Sequence, residues 1–396
     1  MHTALVADTF PPLRSSGAVQ LRDLSLEFVK QGHDVTVLVA SPQQAEPWLI
    51  EYYQGVRLLR LRTPRTKDVG YARRTLAELF MPFFMRLNYN RSPLANTQFD
   101  AVLWYSPSIF FGPMVRFLSL KSRCPTYLII RDIFPEWAVD MGLMGKGLPY
   151  LFFRAIANYQ YSVANVIGVQ TPGNRVYFEN WLSKGKGKLD ILQNWLSDLP
   201  ASNCSIRISA SPLAGRMIFV YAGNMGIAQG MDNIFEFVHA MQARTDVGFV
   251  FVGRGSDSQR LKAKAEQLAL DNVLFFDEID PDEIPGLYAQ CHAGIVALDV
   301  RHKTHNIPGK FISYMQSGLP VFAVINPGND LEQMISAHRV GVVLTHVEVA
   351  EFVAKAEILI DDLEEGGEMS NRCRQLYLQS FSPKSAVSQI VQALQK

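Results

Sequence analysis

Two doubly wound α/β domains are predicted by three observations. The chain has 396 residues, more than one ordinary core accommodates; each half alternates strand-like and helix-like runs; and a stretch rich in Ser, Ala and Pro with no sustained period, residues 199–215, separates the halves. In the first half, residues 3–7 (TALVA) are apolar. Residues 8–17 then carry Pro11, Pro12, Ser15, Ser16 and Gly17, and residues 18–31 have helical periodicity. Gly32 stops that helix and residues 34–40 (DVTVLVA) supply the next strand, which completes a βαβ unit. Apolar runs at 101–104, 126–130 and 166–169 extend the sheet in parallel. In the second half the strands are expected at 217–221, 247–252, 273–276, 294–298, 320–324 and 340–344, with helices between most of them. The domains are therefore drawn as 1–204 and 205–382. A final helix, within 383–396, is placed to pack back on the first domain. Two such domains facing each other put the ligand-binding ends of their strands across a shared cleft.

Apolar residues make up 48% and charged residues 19%, a balance that excludes a disordered chain. No apolar run reaches the roughly 18 residues that span a bilayer, and the first residues have neither a basic n-region nor a small-residue cleavage site. A cytoplasmic location is expected. The cysteines, Cys124, Cys204, Cys291 and Cys373, lie far apart without metal-ligand spacing, so neither a zinc site nor a disulfide framework is indicated.

The net charge of +1 conceals an asymmetry: residues 1–200 hold 22 Lys/Arg against 15 Asp/Glu, and residues 201–396 hold 16 against 22. Arg60, Arg62, Arg65, Lys67, Arg73 and Arg74 crowd one stretch ahead of the run 79–87, LFMPFFMRL. Such a pattern suits an anionic membrane surface, at about 1 kcal/mol per basic residue close to it. A buried helix with a solvated basic rim would give the same pattern.

Four glycine-bearing loops follow strands: Gly17, 221–226 (YAGNMG), 252–255 (VGRG) and 305–320 (HNIPGKFISYMQSGLP). The last reads as a loop, a short amphipathic helix and a Gly-Leu-Pro stop. A helix N-terminus there offers backbone N–H groups to a phosphate, with Lys310 adding a charge and Asn306 and Ser313 short polar groups. There is no GxGxxG after the first strand and no GxxxxGK[ST], which argues against a dinucleotide dehydrogenase and a P-loop NTPase.

The opening, TFPPLRSSGAVQLRDLSLEFVKQGHDVTVLV, resembles that of family 4 glycosyltransferases. LIIRDIFPEWAVDMG (128–142) is similar to a segment of its bacterial O-antigen and capsule members, and LQNW, YAGNMG, VGRG and PGKFISYMQSGLPV extend the likeness in the same order. The resemblance implies a GT-B fold, with two Rossmann-like domains, and sugar transfer from a nucleotide-sugar with retention at the anomeric carbon. Many members carry a pair of glutamates ahead of the Gly-Leu-Pro; Asn306 and Ser313 stand there instead. An Arg and a Lys that clamp the donor phosphates are replaced by Asn224 and Gln229. The variant with HNIPGK and SYMQSGLPV is similar to an O-antigen subgroup associated with N-acetyl-L-fucosamine transfer.

Lys310, with Arg254, is left to meet the charge on the departing diphosphate. Gly17, His305 and Asn306 are further donor contacts, and the loop through Ile279 is expected to read uracil through its backbone, as the resemblance implies. On the acceptor side, Arg131 stands where relatives place a His near the transferred sugar, and Asp132 or Glu136 would orient or deprotonate the acceptor hydroxyl. With no DxD motif, neither a metal nor another cofactor is expected. The expected partners are a UDP-sugar, a polyprenyl-diphosphate-linked saccharide and the inner face of the plasma membrane, not nucleic acid. Two alternatives are a non-hydrolysing UDP-sugar 2-epimerase, for which no acidic and histidine cluster is seen in the second domain, and a non-catalytic nucleotide-sugar-binding protein, motivated by the missing glutamates.

Overall fold

Each half of the chain builds its own sheet, because its apolar runs, bounded by glycine and proline, are long enough for strands and the stretches between them are amphipathic. The computed structural model describes residues 1–13, 15–66, 69–185, 187–198, 203–226, 229–299, 306–366 and 368–395. They form two units, Met1–Trp195 with Pro383–Lys396, and Leu196–Ser382.

In the first unit β1 (His2–Ala7), α1 (Ser16–Lys30) and β2 (Asp34–Ser41) make the opening βαβ motif. The Ser15 hydroxyl caps α1 by accepting the Ala18 N–H at 3.3 Å. There follow β3 (Trp48–Tyr53), β4 (Val56–Arg62), α2 (Tyr71–Asn90), β5 (Ala101–Tyr105), α3 (Gly112–Ser122) and β6 (Thr126–Ile129). The short α4 (Glu136–Asp140), α5 (Leu148–Val163), β7 (Val166–Val169), α6 (Glu179–Leu182) and β8 (Lys188–Ile191) complete the unit's main run. The sheet order is β3-β4-β2-β1-β5-β6-β7-β8, parallel except where β3 runs against β4.

Three of these strands, β3, β4 and β8, lie outside the expected set. β3 and β4 are a hairpin whose turn residues, Gln54 and Gly55, both have positive φ (47° and 88°), the two-residue geometry that matches strand twist. The arginines of β4, in the alternation VRLLRLR, belong to the basic stretch of the sequence. Arg60 donates to Glu51 at 2.6 Å and to the Pro11 carbonyl at 2.7 Å, and Arg62 to the Ala45 carbonyl at 2.6 Å, so both are tied to the sheet edge. Lys67 lies outside the described residues. The apolar run 79–87 falls within α2, where Met81 and Met85 are buried while Phe80, Phe83, Phe84 and Leu87 face solvent.

The second unit runs β9 (Met217–Ala222), α7 (Met231–Ala240), β10 (Val247–Val252), α8 (Ser258–Gln267), β11 (Val273–Phe276), α9 (Ile284–Tyr288), β12 (Ala293–Ala297) and α10 (Gly309–Gln316). It continues through β13 (Val321–Val324), α11 (Asp330–His338), β14 (Gly341–Leu344), α12 (Val349–Glu364) and α13 (Glu368–Leu376). All six strands are parallel, in the order β11-β10-β9-β12-β13-β14. Apolar layers cover both faces, as a parallel sheet requires. One layer is notably aromatic: Phe237 and Phe322 stack at 4.6 Å with Phe219, Phe249 and Phe352 around them.

The last helix, α14 (Pro383–Gln395), belongs to the first unit. Its Ala386, Val387 and Ile390 share a core with Leu21, Leu24 and Phe28 of α1, and Gln389 donates to the Ile191 carbonyl at 2.7 Å. Among the described residues no helix is long and apolar enough to cross a membrane.

Candidate functional site

The C-terminal ends of β9, β10 and β11 and the N-terminus of α10 surround a cavity of about 420 Å³ in the second unit. The strand order reverses here, between β9 and β12, which is where open α/β sheets bind ligands. Backbone bonds fix its floor. Gly223 N–H donates to the Val252 carbonyl at 2.8 Å, Gly253 N–H to the Phe276 carbonyl at 3.1 Å, and Met225 N–H to the Arg254 carbonyl at 2.8 Å. This close approach requires glycine. Gly223 and Gly253 have φ of 140° and 136°, and a Cβ on Gly253 would lie 2.2 Å from the Gly223 carbonyl oxygen.

Lys310, in the first turn of α10, enters above that floor. A Cβ on Gly223 would sit 2.9 Å from its Nζ, and the ammonium lies 4.6 Å from the centroid of the Tyr221 ring. No acid pairs with it among the described residues, and burial lowers its pKa from 10.5 to about 8. The aromatic face compensates only part of the lost hydration. The first-turn N–H groups of α10 and its positive dipole end lie beside this charge, so the cavity is prepared for an anion.

Five of the donor-side residues singled out in the sequence line this one cavity: Asn224, Arg254, Ile279, Lys310 and Ser313. Asn224 donates to Gln229 at 3.2 Å, and Gln229 also accepts the Gly226 N–H at 3.1 Å. Arg254 is exposed and meets Glu278 at 3.1 Å. Ser313 donates back to the Gly309 carbonyl at 3.2 Å, leaving its oxygen able to accept. Ile279 lines the cavity with Pro281 and Ile284. Asn306 precedes α10 and is half-buried, and His305 lies outside the described residues. Gly17 is in the first unit, in the first turn of α1, with Thr9 and Tyr105 each 3.3 Å from where a Cβ would stand.

Sequence reasoning missed the side chains of Tyr221, which lies under Lys310, and of Tyr288, which lines the cavity, and it named Glu278 only as part of the backbone turn 277–279. A strand tyrosine reads as core, and only the fold brings the Tyr221 ring under Lys310; its hydroxyl donates to the Asn224 carbonyl at 2.5 Å.

The first-unit candidates separate. Arg131 is 7% exposed, with its guanidinium stacked 4.5 Å from the centroid of the Trp195 ring. Its Nη1 donates to the Leu192 carbonyl at 3.2 Å, Nε and Nη2 make no hydrogen bond of good geometry among the described residues, and the Tyr105 side chain lies against the guanidinium. Burial depresses its pKa. Around it runs a chain of bonds: Tyr105 hydroxyl to Gln20 (2.6 Å), Gln20 to Asn194 (3.2 Å), Asn194 to Gln170 (2.9 Å) and Gln170 to the Arg131 carbonyl (2.6 Å). This network locks the ends of β5, β6 and β7 and gives Arg131 a supporting place behind Asp132. Asp132 reaches solvent, but partial desolvation of its carboxyl raises its pKa, with Arg131 pulling the other way. Glu136 is half-buried, its pKa raised by burial against the opposing pull of its own backbone N–H and of Arg154, and it lines a separate cavity of the first unit.

Residues 216–362 match the family described as Glycosyl transferases group 1. Over 300 residues the chain is 26% identical to a protein named as a colanic acid biosynthesis glycosyl transferase, WcaI of Escherichia coli (strain K12), covering 66% of this chain and 68% of that one. It is 24% identical over 298 residues to the glycosyltransferase WbjE of Pseudomonas aeruginosa, covering 70% of each. The crystal structure of Anabaena Alr3699/HepE in complex with UDP and glucose has the same fold over 99% of each chain, with a TM-score of 0.64 at 14% identity.

Proposed function

We propose that this chain, whose residues 216–362 carry the group 1 glycosyltransferase domain, moves a sugar from a UDP-sugar to a polyprenyl-diphosphate-linked saccharide in surface polysaccharide synthesis. One observation carries the reading: an unpaired, half-buried Lys310 ammonium at the N-terminus of α10, over the glycine floor of a cavity at the strand ends. As the sugar leaves, the diphosphate gains charge, and preorganised cations and N–H groups stabilise that charge most. Lys310 and the helix end supply it at once. Arg254 joins them by leaving Glu278, since a pair with side chains 82% and 57% exposed is held weakly. The uracil lies against Ile279 and Pro281, with its edge read by the backbone of 277–279.

The transfer proceeds with retention, the leaving phosphate taking the acceptor proton while Asp132 or Glu136 orients the hydroxyl. It uses no metal. The sugar is N-acetyl-L-fucosamine or a related N-acetylated deoxysugar, a choice that rests on the resemblance of 305–320 to that O-antigen subgroup. The UDP in the Anabaena relative's complex and the colanic acid named for the Escherichia coli relative both favour this class of donor and product. The enzyme works at the inner face of the plasma membrane, where the basic first half of the chain and the exposed Phe80, Phe83 and Phe84 of α2 suit an anionic surface.

Incubation with a panel of UDP-N-acetylhexosamines, with and without a polyprenyl-diphosphate saccharide, tests the reading. Labelled sugar is expected on the lipid, with UDP released in equal amount and only slow hydrolysis when the lipid is left out; EDTA leaves the rate unchanged. A new sugar formed without acceptor would mark an epimerase, and tight UDP binding with no turnover on any lipid acceptor would mark a binding protein.

A further inference from the structure

A second cavity, of about 450 Å³, lies wholly in the first unit, between α5 and the segment bearing α6. Arg154 of α5 and Lys184, just past α6, bring two cations to its wall, with Asn158 and Asn180 as neutral donors. No acid lies within ion-pair distance of either cation among the described residues. Arg154 donates to the Tyr150 hydroxyl at 3.0 Å, and that hydroxyl points to Glu136 at 3.5 Å. Glu136 is the carboxylate on the same wall, set against two cations, so the lining side chains carry a net positive charge, with Asp140 just outside accepting from Tyr177 at 3.0 Å.

The segment from α4 into the first turns of α5 is apolar at its surface. Trp137, Met141, Leu143, Leu148, Leu151 and Phe152 are between 43% and 83% exposed, though side chains of this size are usually buried. Leu151, Arg154 and Asn158 sit three and four residues apart on one face of α5, so this apolar collar runs directly into the cavity wall. α2, with its own exposed phenylalanines, and α5 both pack against α3 and share one core, which puts the two apolar stripes on the same side of the sheet. A soluble phosphate would use the cations and leave the collar wet. An anionic bilayer uses both, since its phosphates meet the cations while its chains accept the collar.

We propose that this cavity and its collar are a headgroup site for anionic phospholipid, with Arg154 and Lys184 holding the phosphate and the exposed apolar side chains between 137 and 152 inserted among the acyl chains. The site deepens the membrane part of the proposed function, moving the contact from the arginines of β4, which the sheet edge holds, to α4 and α5. It does not depend on the donor cavity.

Co-sedimentation of the full chain with vesicles of phosphatidylglycerol mixed with phosphatidylcholine, and of phosphatidylcholine alone, tests it. The wild-type chain is expected to pellet with the first and not the second. Arg154→Gln and Lys184→Gln each weaken the partition about fivefold and together about 25-fold. Arg154→Lys with Lys184→Arg retains it, and Leu151→Ser with Phe152→Ser lowers it. Lys30→Gln, an exposed change of the same charge on α1, alters it less than twofold, and every variant keeps its UDP affinity and circular dichroism. Partition of the Arg154→Gln/Lys184→Gln chain equal to wild type, or wild-type binding indifferent to phosphatidylglycerol, overturns the proposal. So does displacement by inorganic phosphate beyond that of chloride at equal ionic strength, which would mark a site for soluble phosphate.

Discussion

Lys310→Ala is expected to weaken UDP binding by about 30- to 300-fold while the thermal midpoint of the free protein stays level or rises. Removing one partner of a partly desolvated charge contact costs about 2–3.5 kcal/mol, and each 1.4 kcal/mol is a factor of ten. Stability should not fall, because the ammonium is held away from water without an acid partner, over Tyr221, and its absence removes that desolvation. Lys310→Met keeps most of the stem and removes only the charge, and it should lose the same affinity. Uridine, which lacks the diphosphate, should bind all three proteins alike. Isothermal titration of UDP and uridine gives both numbers; an unchanged UDP affinity in a folded Lys310→Met protein removes the lysine from the site.

The same lysine sets a pH dependence. In the free protein burial holds its pKa near 8, against 10.5 for an exposed lysine, so above pH 8 the neutral amine dominates. A bound diphosphate favours the charged form and raises that pKa. Binding therefore takes up a proton between pH 8 and the higher value of the complex, and UDP affinity falls as pH rises through that window, by up to tenfold per pH unit. In Lys310→Met the slope should disappear. Titrations at pH 7 and pH 9 in buffers of different ionisation enthalpy measure both the affinity and the proton count.

The parallel sheets were legible because their strands are continuous apolar runs punctuated by glycine, as in VGFVFV before Gly253 or VFAV after Pro320. β3 and β8 were not: one is half-exposed with little apolar contrast, and the other, KLDI, is four residues with two charges. At the donor cavity, the glycine loops and Lys310 stood out because ligand-binding edges have a known place in a βαβ chain. The Tyr221 ring beneath the ammonium did not, since a strand position tells which face a side chain takes but not which helix end crosses above it. Arg131 shows the opposite limit. Its place after β6 drew attention as a reacting-site residue, whereas its stacking on Trp195, 64 residues later in the chain, depends on β8 lying beside β7, a pairing that the sequence reading did not contain.

Gly253→Ala is expected to destabilise the second unit by about 3 kcal/mol, summing a positive-φ penalty with overpacking, and to lower its thermal midpoint by about 6–12 °C. The new methyl would meet the Gly223 carbonyl oxygen at 2.2 Å. That atom is backbone, held between β9 and β10 by the Gly223 to Val252 bond, so no rotamer change relieves the contact; the loops must part. Parting them moves Gly223 from beneath Lys310, so UDP affinity should fall in the protein that still folds at low temperature. Gly309→Ala provides the comparison with the opposite sign. Gly309 opens α10, is exposed, has no atom within 4 Å of a new Cβ and does not have positive φ, so alanine there restricts the unfolded chain and favours the helix by about 0.5 kcal/mol. Paired thermal melts of the two variants separate close backbone approach from mere glycine content. Equal shifts would mean that the floor of the cavity is looser than the contact between Gly223 and Gly253 requires.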